Sequence, residues 1–159
     1  MTHTYGIIVA ALLLSTAAVQ PQDQLPSKKV LTLEAAHRIA AAAEAEARRN
    51  NWAVSVAVLD DAGHMMVFHR MDGAKLVATD IAIRKARTAV YFQGPTKGLE
   101  EEVTTGGRTA LLPIEGFMPL EGGVPLTVDG ILIGAIGVSG VTGAQDAQCA
   151  HAGARVLAR

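Results

Sequence analysis

Apolar and polar positions alternate along this chain with two different periods, and the switches between them outline its elements. After Leu31-Thr32-Leu33-Glu34, small and aliphatic residues recur at Ala36, Ile39, Ala40, Ala43 and Ala47, the spacing of one helix face. Thr32 is placed to cap that helix and Glu34 suits its positive end, so a helix is predicted to about Arg49. From Trp52 to Leu59 the run WAVSVAVL is apolar at both alternating sets, as in a central strand covered on two faces. Asp60-Asp61-Ala62-Gly63 supplies turn chemistry, and HMMVFHRM returns as a second strand to close a hairpin.

A second helix is predicted from about Leu76 to Tyr91, ending before Gln93-Gly94-Pro95 because proline cannot continue it. Thr96 is then placed to cap a short third helix over KGLEEEVTT, closed by Gly106-Gly107. From Leu111 to Gly123, repeated proline and glycine predict a loop or a short edge strand. PLTVDG and ILIGAIGVSG are two apolar runs joined by Asp129-Gly130, a strong hairpin signal. A last helix, roughly Ala144 to Ala158, places Ala147, Ala150, Ala154 and Leu157 on one stripe. The order helix, hairpin, helices, hairpin, helix implies an α+β fold with an antiparallel sheet of about five strands flanked by helices. It argues against a doubly wound parallel sheet.

Composition adds limits. At 159 residues the chain suits one domain, and an aromatic content of 4% leaves Ala, Val, Ile and Leu to fill the interior. A formal charge of -1 creates no general field for nucleic acid or an anionic membrane, so neither is an expected partner. Cys149 is the one cysteine, so no internal disulfide forms, and without a C-x-x-C-H run any haem would be held non-covalently.

The N-terminal stretch reads differently from the rest. From Gly6 to Val19 the chain is uncharged over about 14 residues, too short to span a bilayer as a helix but suited to the apolar part of a secretory signal. MTHTY lacks a basic residue, and Thr16-Ala17-Ala18 only approximates a cleavage site. The expected organisation is a signal peptide over 1–20, a polar linker over 21–30 and a domain over 31–159. A periplasmic or secreted product follows, and a cytoplasmic one if the segment is instead a mis-called start or a disordered arm.

His69 and Lys85 are the residues of chemical interest. Strict alternation along the second strand would put His69 on one face with Met65, Val67 and Met71, surroundings that favour a neutral imidazole able to ligate iron. The alternative is a histidine at the edge of the core bonded to backbone. His64 is expected to be solvated, and packing explains His37 and His151 as well as ligation does. Lys85 falls on or beside the apolar stripe of the second helix, so its ammonium needs an internal carboxylate, a ligand carboxylate such as a haem propionate, or a route to solvent. The glycines of EGGVP and IGAIGVSG permit close backbone approach, but Gly134, Gly137 and Gly140 miss the dinucleotide fingerprint.

Taken together, FHRMDGA, KARTAV, the proline before Thr96, and GGVPLTVDGILIGAIGVSGVTGAQDAQCAHAG resemble the GlcG/HbpS-like haem-binding family, over roughly Leu31 to the C-terminus. The resemblance implies a profilin-like fold, assembly into homo-oligomers from dimer to octamer, and binding of haem or, second, a corrinoid such as cobalamin. The family label mentions haem degradation. The resemblance also implies site residues: His69, Arg70, Met71 and Asp72 from the FHRMDGA run, Lys85 and Thr88 from the helix motif, and Thr96 as a haem contact. Gly122, Gly123 and Pro125 match the glycine-rich entrance to the last hairpin, and Asp146 the acidic residue opening the final helix. The first functional expectation is therefore haem binding, sensing or sequestration, with His69 or Thr96 at the iron and Lys85 or Arg70 at a propionate. The second is an enzyme acting on a small carboxylate, with Lys85 as anion anchor and His69 or Asp72 moving a proton. The third is a structural assembly. All of these centre on one expected recess bordered by Met65, Val67, His69 and Lys85.

Overall fold

A computed structural model describes residues 27–158. The expected signal peptide and the first part of the polar linker lie outside the described residues. Among the described residues no helix is long and apolar enough to cross a membrane.

Helix α1, Leu33–Arg49, begins where Thr32 Oγ1 accepts the Ala35 N–H at 3.2 Å, a cap contributing about 1 kcal/mol. Strands β1, Ser55–Asp60, and β2, Met65–Arg70, form the first hairpin, with Gly63 at φ +84° in the turn. Helices α2, Leu76–Tyr91, and α3, Thr96–Thr104, follow. Strands β3, Gly123–Val128, and β4, Ile131–Ser139, meet through Asp129 and Gly130, whose φ values of 52° and 76° are the left-handed pair of a type I′ turn. Helix α4, Gly143–Ala154, carries a complete capping box in which Thr142 and Gln145 satisfy each other's backbone N–H groups.

The sheet is antiparallel in the order β2-β1-β4-β3, with α1 and α4 on one face and α2 on the other. Among the described residues it has four strands, not the expected five. The segment before β3 forms a short 3₁₀ turn at Thr109–Leu111 and then loop, because its prolines and glycines supply no continuous ladder. Strand β1 is central, as its double-sided burial predicts: Val56 and Val58 enter the α1–α4 core, Ala57 and Leu59 the α2 core. Low aromatic content leaves small residues at the helix–sheet contacts. Ala82, Ala86 and Ala89 let α2 sit so close to β4 that a Cβ on Gly137 would lie 2.1 Å from the Ala82 carbonyl oxygen.

One expectation about side-chain faces fails. Strict alternation would join Met65 to Val67 and His69, but the β1–β2 register shifts between Val58 and Leu59. The bulge sets Met65 opposite Leu59, on the α2 side, while Met66 packs with Val67 against the α1–α4 core.

Cys149 is fully buried on α4, and burial together with nearby Glu46 and Asp146 pushes its thiol up to about 12. We expect no reaction with a water-soluble thiol reagent at neutral pH in the native protein, and complete labelling in denaturant. Native labelling at the denatured rate would show that α4 does not stay docked.

Candidate functional site

The sheet face fixes what each chemical group can reach. Lys85 extends from the alanine-rich face of α2 past the end of β4. Its ammonium donates to Asp146 Oδ2 at 2.8 Å and to the Val138 carbonyl at 3.1 Å, with both charged side chains 3% exposed. The other carboxylate oxygen, Asp146 Oδ1, accepts the Val141 N–H at 3.1 Å. Burial pushes the Asp146 carboxyl above its ordinary value, against the pull of Lys85 and the backbone donors. Of the partners open to Lys85, an internal carboxylate is the one the chain supplies.

The neighbouring expected site residues hold the loop that leads into β3. Thr88 Oγ1 accepts the Met118 N–H at 2.9 Å. Thr96 is not a side-chain cap but the first residue of α3, and its hydroxyl donates to the Leu120 carbonyl at 2.6 Å and accepts the Gly123 N–H at 2.9 Å. Gly122 has φ +127°, and a Cβ there would lie 2.9 Å from Lys85 Nζ, so only glycine lets the backbone pass the ammonium. Lys85, Thr88, Thr96, Gly122 and Gly123 thus come together in one place, and their polar atoms are already engaged within the chain.

His69 stands on the other side of the sheet. Its Cα pairs with Val56, whose side chain lies in the α1–α4 core. His69 Nδ1 is 3.0 Å from Glu44 Oε2 on α1, and the His37 ring centre is 6.5 Å away. Glu44 is itself held by Arg48, and the bonds to Arg48 and His69 keep its carboxyl below the usual glutamate value although burial opposes them. A carboxylate acceptor at Nδ1 favours the tautomer with the proton on that nitrogen, which makes Nε2 the ring's lone-pair nitrogen, on a side chain 32% exposed. The single recess expected to join His69 with Lys85 is therefore not formed within the chain: the two side chains leave opposite faces of the sheet, and the bulge removes Met65 from the imidazole's face.

The remaining expected residues scatter around these two centres. Met71 packs against the α1–α4 core and donates its N–H to the Val54 carbonyl. Arg70, exposed, pairs with Ser55 and so projects to the α2 side, opposite to His69. Asp72 is exposed in the turn after β2, and Pro125 lies on edge strand β3, bordering an open groove of about 470 Å³ together with His151. His64 is solvated as expected, 80% exposed beside Asp60. Among the described residues no group of three or more histidine, cysteine or acidic side chains is arranged to hold a metal ion.

Sequence reasoning missed Glu44 as the partner of His69. Its one available signal was position, four residues after Ala40 and three before Ala47 at the edge of the apolar stripe, and nothing local says that this stripe meets β2. Asp146 as the partner of Lys85 was equally hidden, 61 residues away.

A family model described as "Haem degrading protein HbpS-like" matches residues 31–155. The chain is 50% identical over 115 residues to Protein GlcG of Escherichia coli strain K12, covering 72% of this chain and 85% of that one. Its fold is similar to the crystal structure of a double mutant of Streptomyces reticuli HbpS, with a TM-score of 0.78 and 39% identity over 90% of this chain and 97% of that one. It is also similar to the crystal structure of a PduOC:heme complex, with a TM-score of 0.73 and 32% identity over 79% and 94% of the two chains.

Proposed function

The chain belongs to the HbpS-like family, and from that membership we propose that it binds haem, with His69 Nε2 as the iron ligand. The observation that carries this reading is the Glu44 carboxylate at His69 Nδ1. It orients the ring and selects the tautomer, which is how proteins commonly prepare a histidine for a metal. When bound, the haem would supply the iron, and this chain's residues would position it. Strand β2 is an edge strand, so a planar macrocycle standing at that edge has His69 on one side and Arg70 on the other for a propionate. Such a ligand at an open edge is well suited to further cover by a second copy of the chain, in keeping with a homo-oligomer. Lys85, Thr88, Thr96, Gly122, Gly123 and Asp146 serve in this reading to hold the fold. Thr96 is a poor candidate for the iron because its hydroxyl is buried and doubly bonded. The expected signal over residues 1–20 would make this an exported haem binder.

The small-carboxylate enzyme has less support. Its anion anchor, Lys85, already holds Asp146, and its proton-transfer candidate His69 lies across the sheet.

The test is haem titration followed by the Soret band, with cobalamin titrated in parallel. We expect His69→Ala to abolish the ligated spectrum and Glu44→Gln to weaken haem binding by about 10–100-fold, the usual cost of losing an orienting partner. A ligated Soret band that survives unchanged in His69→Ala would remove this residue from the role. Cobalamin binding that exceeds haem binding would transfer the reading to corrinoids.

A further inference from the structure

Beside the Lys85–Asp146 pair, where α2, α3 and the start of α4 meet at the end of β4, lies a recess that haem binding does not use. Its inner half, about 180 Å³, is bordered by Lys85, Glu100, Glu121, Ser139 and Asp146, with Ile81 and Leu120 among its apolar walls. An outer half of about 130 Å³ shares Ile81, Ser139 and Val141 and opens past Lys75. The inner volume equals the liquid share of about six waters, and even with the outer half the recess only reaches the roughly 300 Å³ at which sites for drug-sized ligands begin. A tetrapyrrole does not fit, and a ligand with a handful of heavy atoms does.

One hydroxyl lining the recess and one behind it lack partners among the described residues. Ser55 Oγ, behind the recess, is fully buried with no hydrogen bond among the described residues, and Ser55 stands directly across the ladder from Ser139. Ser139 is 6% exposed, lines both halves of the recess, and its hydroxyl takes no hydrogen bond among the described residues. Buried polar groups are nearly always satisfied, so a serine held open against a cavity marks where an external partner belongs. Lys85 adds a donor, since its ammonium has three hydrogens and the chain accepts two.

Charge then selects the ligand. Lys85 is neutralised by Asp146 and Glu121 is paired with the exposed Lys97, which leaves Glu100 as the carboxylate in excess on the wall. Glu100 Oε2 accepts the Glu121 N–H and Glu121 Oε2 faces Lys97 at 3.3 Å, so each side chain keeps one oxygen uncommitted among the described residues. A single excess negative charge, with the free oxygens of Glu100 and Glu121 as acceptors, thus stands opposite the donors Ser139 and Lys85. We propose that this recess binds a small amino alcohol, its ammonium toward Glu100 and Glu121 and its hydroxyl toward Ser139 and Lys85. The walls disfavour an anion of the same size and offer a neutral diol only half of the complement. The site is separate from His69, so it stands or falls independently of haem.

Three probes of similar size and different charge test this on the full chain: 2-aminoethanol, protonated at neutral pH, ethane-1,2-diol, and glycolate. Binding is followed by amide chemical shifts. The expected result is saturable shifts confined to the segments around Glu121 and Ser139 to Gly143, with 2-aminoethanol bound about tenfold more tightly than the diol and glycolate weaker still. Glu100→Gln, which keeps an acceptor for the Glu121 N–H, should erase the preference for the ammonium while leaving the fold's spectrum intact. Ser139→Ala should weaken 2-aminoethanol and the diol alike. Equal or tighter binding of the diol or glycolate, shifts scattered over the surface, or no shifts at all would overturn the assignment.

Discussion

Lys85→Met is expected to lower the unfolding free energy by about 3–5 kcal/mol, measured by urea denaturation. Methionine fills much of the lysine volume, so the loss is not mainly a cavity. It comes from the carboxylate left behind: Asp146 is 2% exposed, and without the ammonium it keeps backbone donors from Val141 and Gly140 but an uncompensated charge. Asp146 already titrates above its ordinary value because of burial, and removing Lys85 drives it further in that direction. The raised value sets the sign of the pH dependence. A carboxyl that holds its proton more tightly when folded favours the folded state most below the unfolded value, and this advantage is lost as pH rises through the folded value. Lys85→Met should therefore be least damaging in mild acid. A double variant, Lys85→Met with Asp146→Leu, should recover much of the loss, since removing both charges also removes their desolvation. A single-variant cost below about 1 kcal/mol would mean that the pair behaves as an exposed one in solution.

Gly137→Ala is expected to be the other severe change, costing more than about 3 kcal/mol or abolishing soluble expression. The added Cβ would fall 2.1 Å from the Ala82 carbonyl oxygen and 2.6 Å from the Ala86 nitrogen, both backbone atoms of α2. Neither can rotate away, so the helix must lift from the sheet and open the core of Ala57, Leu59, Ala82, Ala86 and Ala89. Gly98→Ala is the matched control. It lies within α3, a Cβ there meets nothing within 4 Å, and alanine should stabilise by about 0.4–1 kcal/mol. Thermal unfolding of the two variants compares them directly, and equal midpoints would show that α2 does not approach β4 this closely.

These predictions draw on features of unequal visibility in the amino-acid order. The helix over Leu76–Tyr91, the Asp129-Gly130 hairpin and the capping of α1 by Thr32 were readable because each rests on contacts a few residues apart. That Lys85 borders an apolar stripe was readable, but the choice between a buried ion pair and a route to solvent was not, and neither was its partner. Met65 shows how a local rule fails: alternation assumes an unbroken ladder, and a bulge in the β1–β2 register moved that side chain to the other face. His69 illustrates the reverse case, a residue whose chemistry was suspected but whose orienting carboxylate comes from a helix 25 positions away.

The order of residues by itself determined the α+β class, the helices and both hairpins, and the presence of a histidine and a lysine where ordinary packing would not ask for them. Periodicity, caps and turns depend on neighbours in the chain, and those are written into it. Only the tertiary structure decided that Lys85 would meet Asp146, that Glu44 would aim His69, and that these two centres would stand on opposite faces of one sheet. Helix placement above or below a sheet is a choice made by the whole core at once, through close approaches such as Gly137 to Ala82 that no short segment can specify.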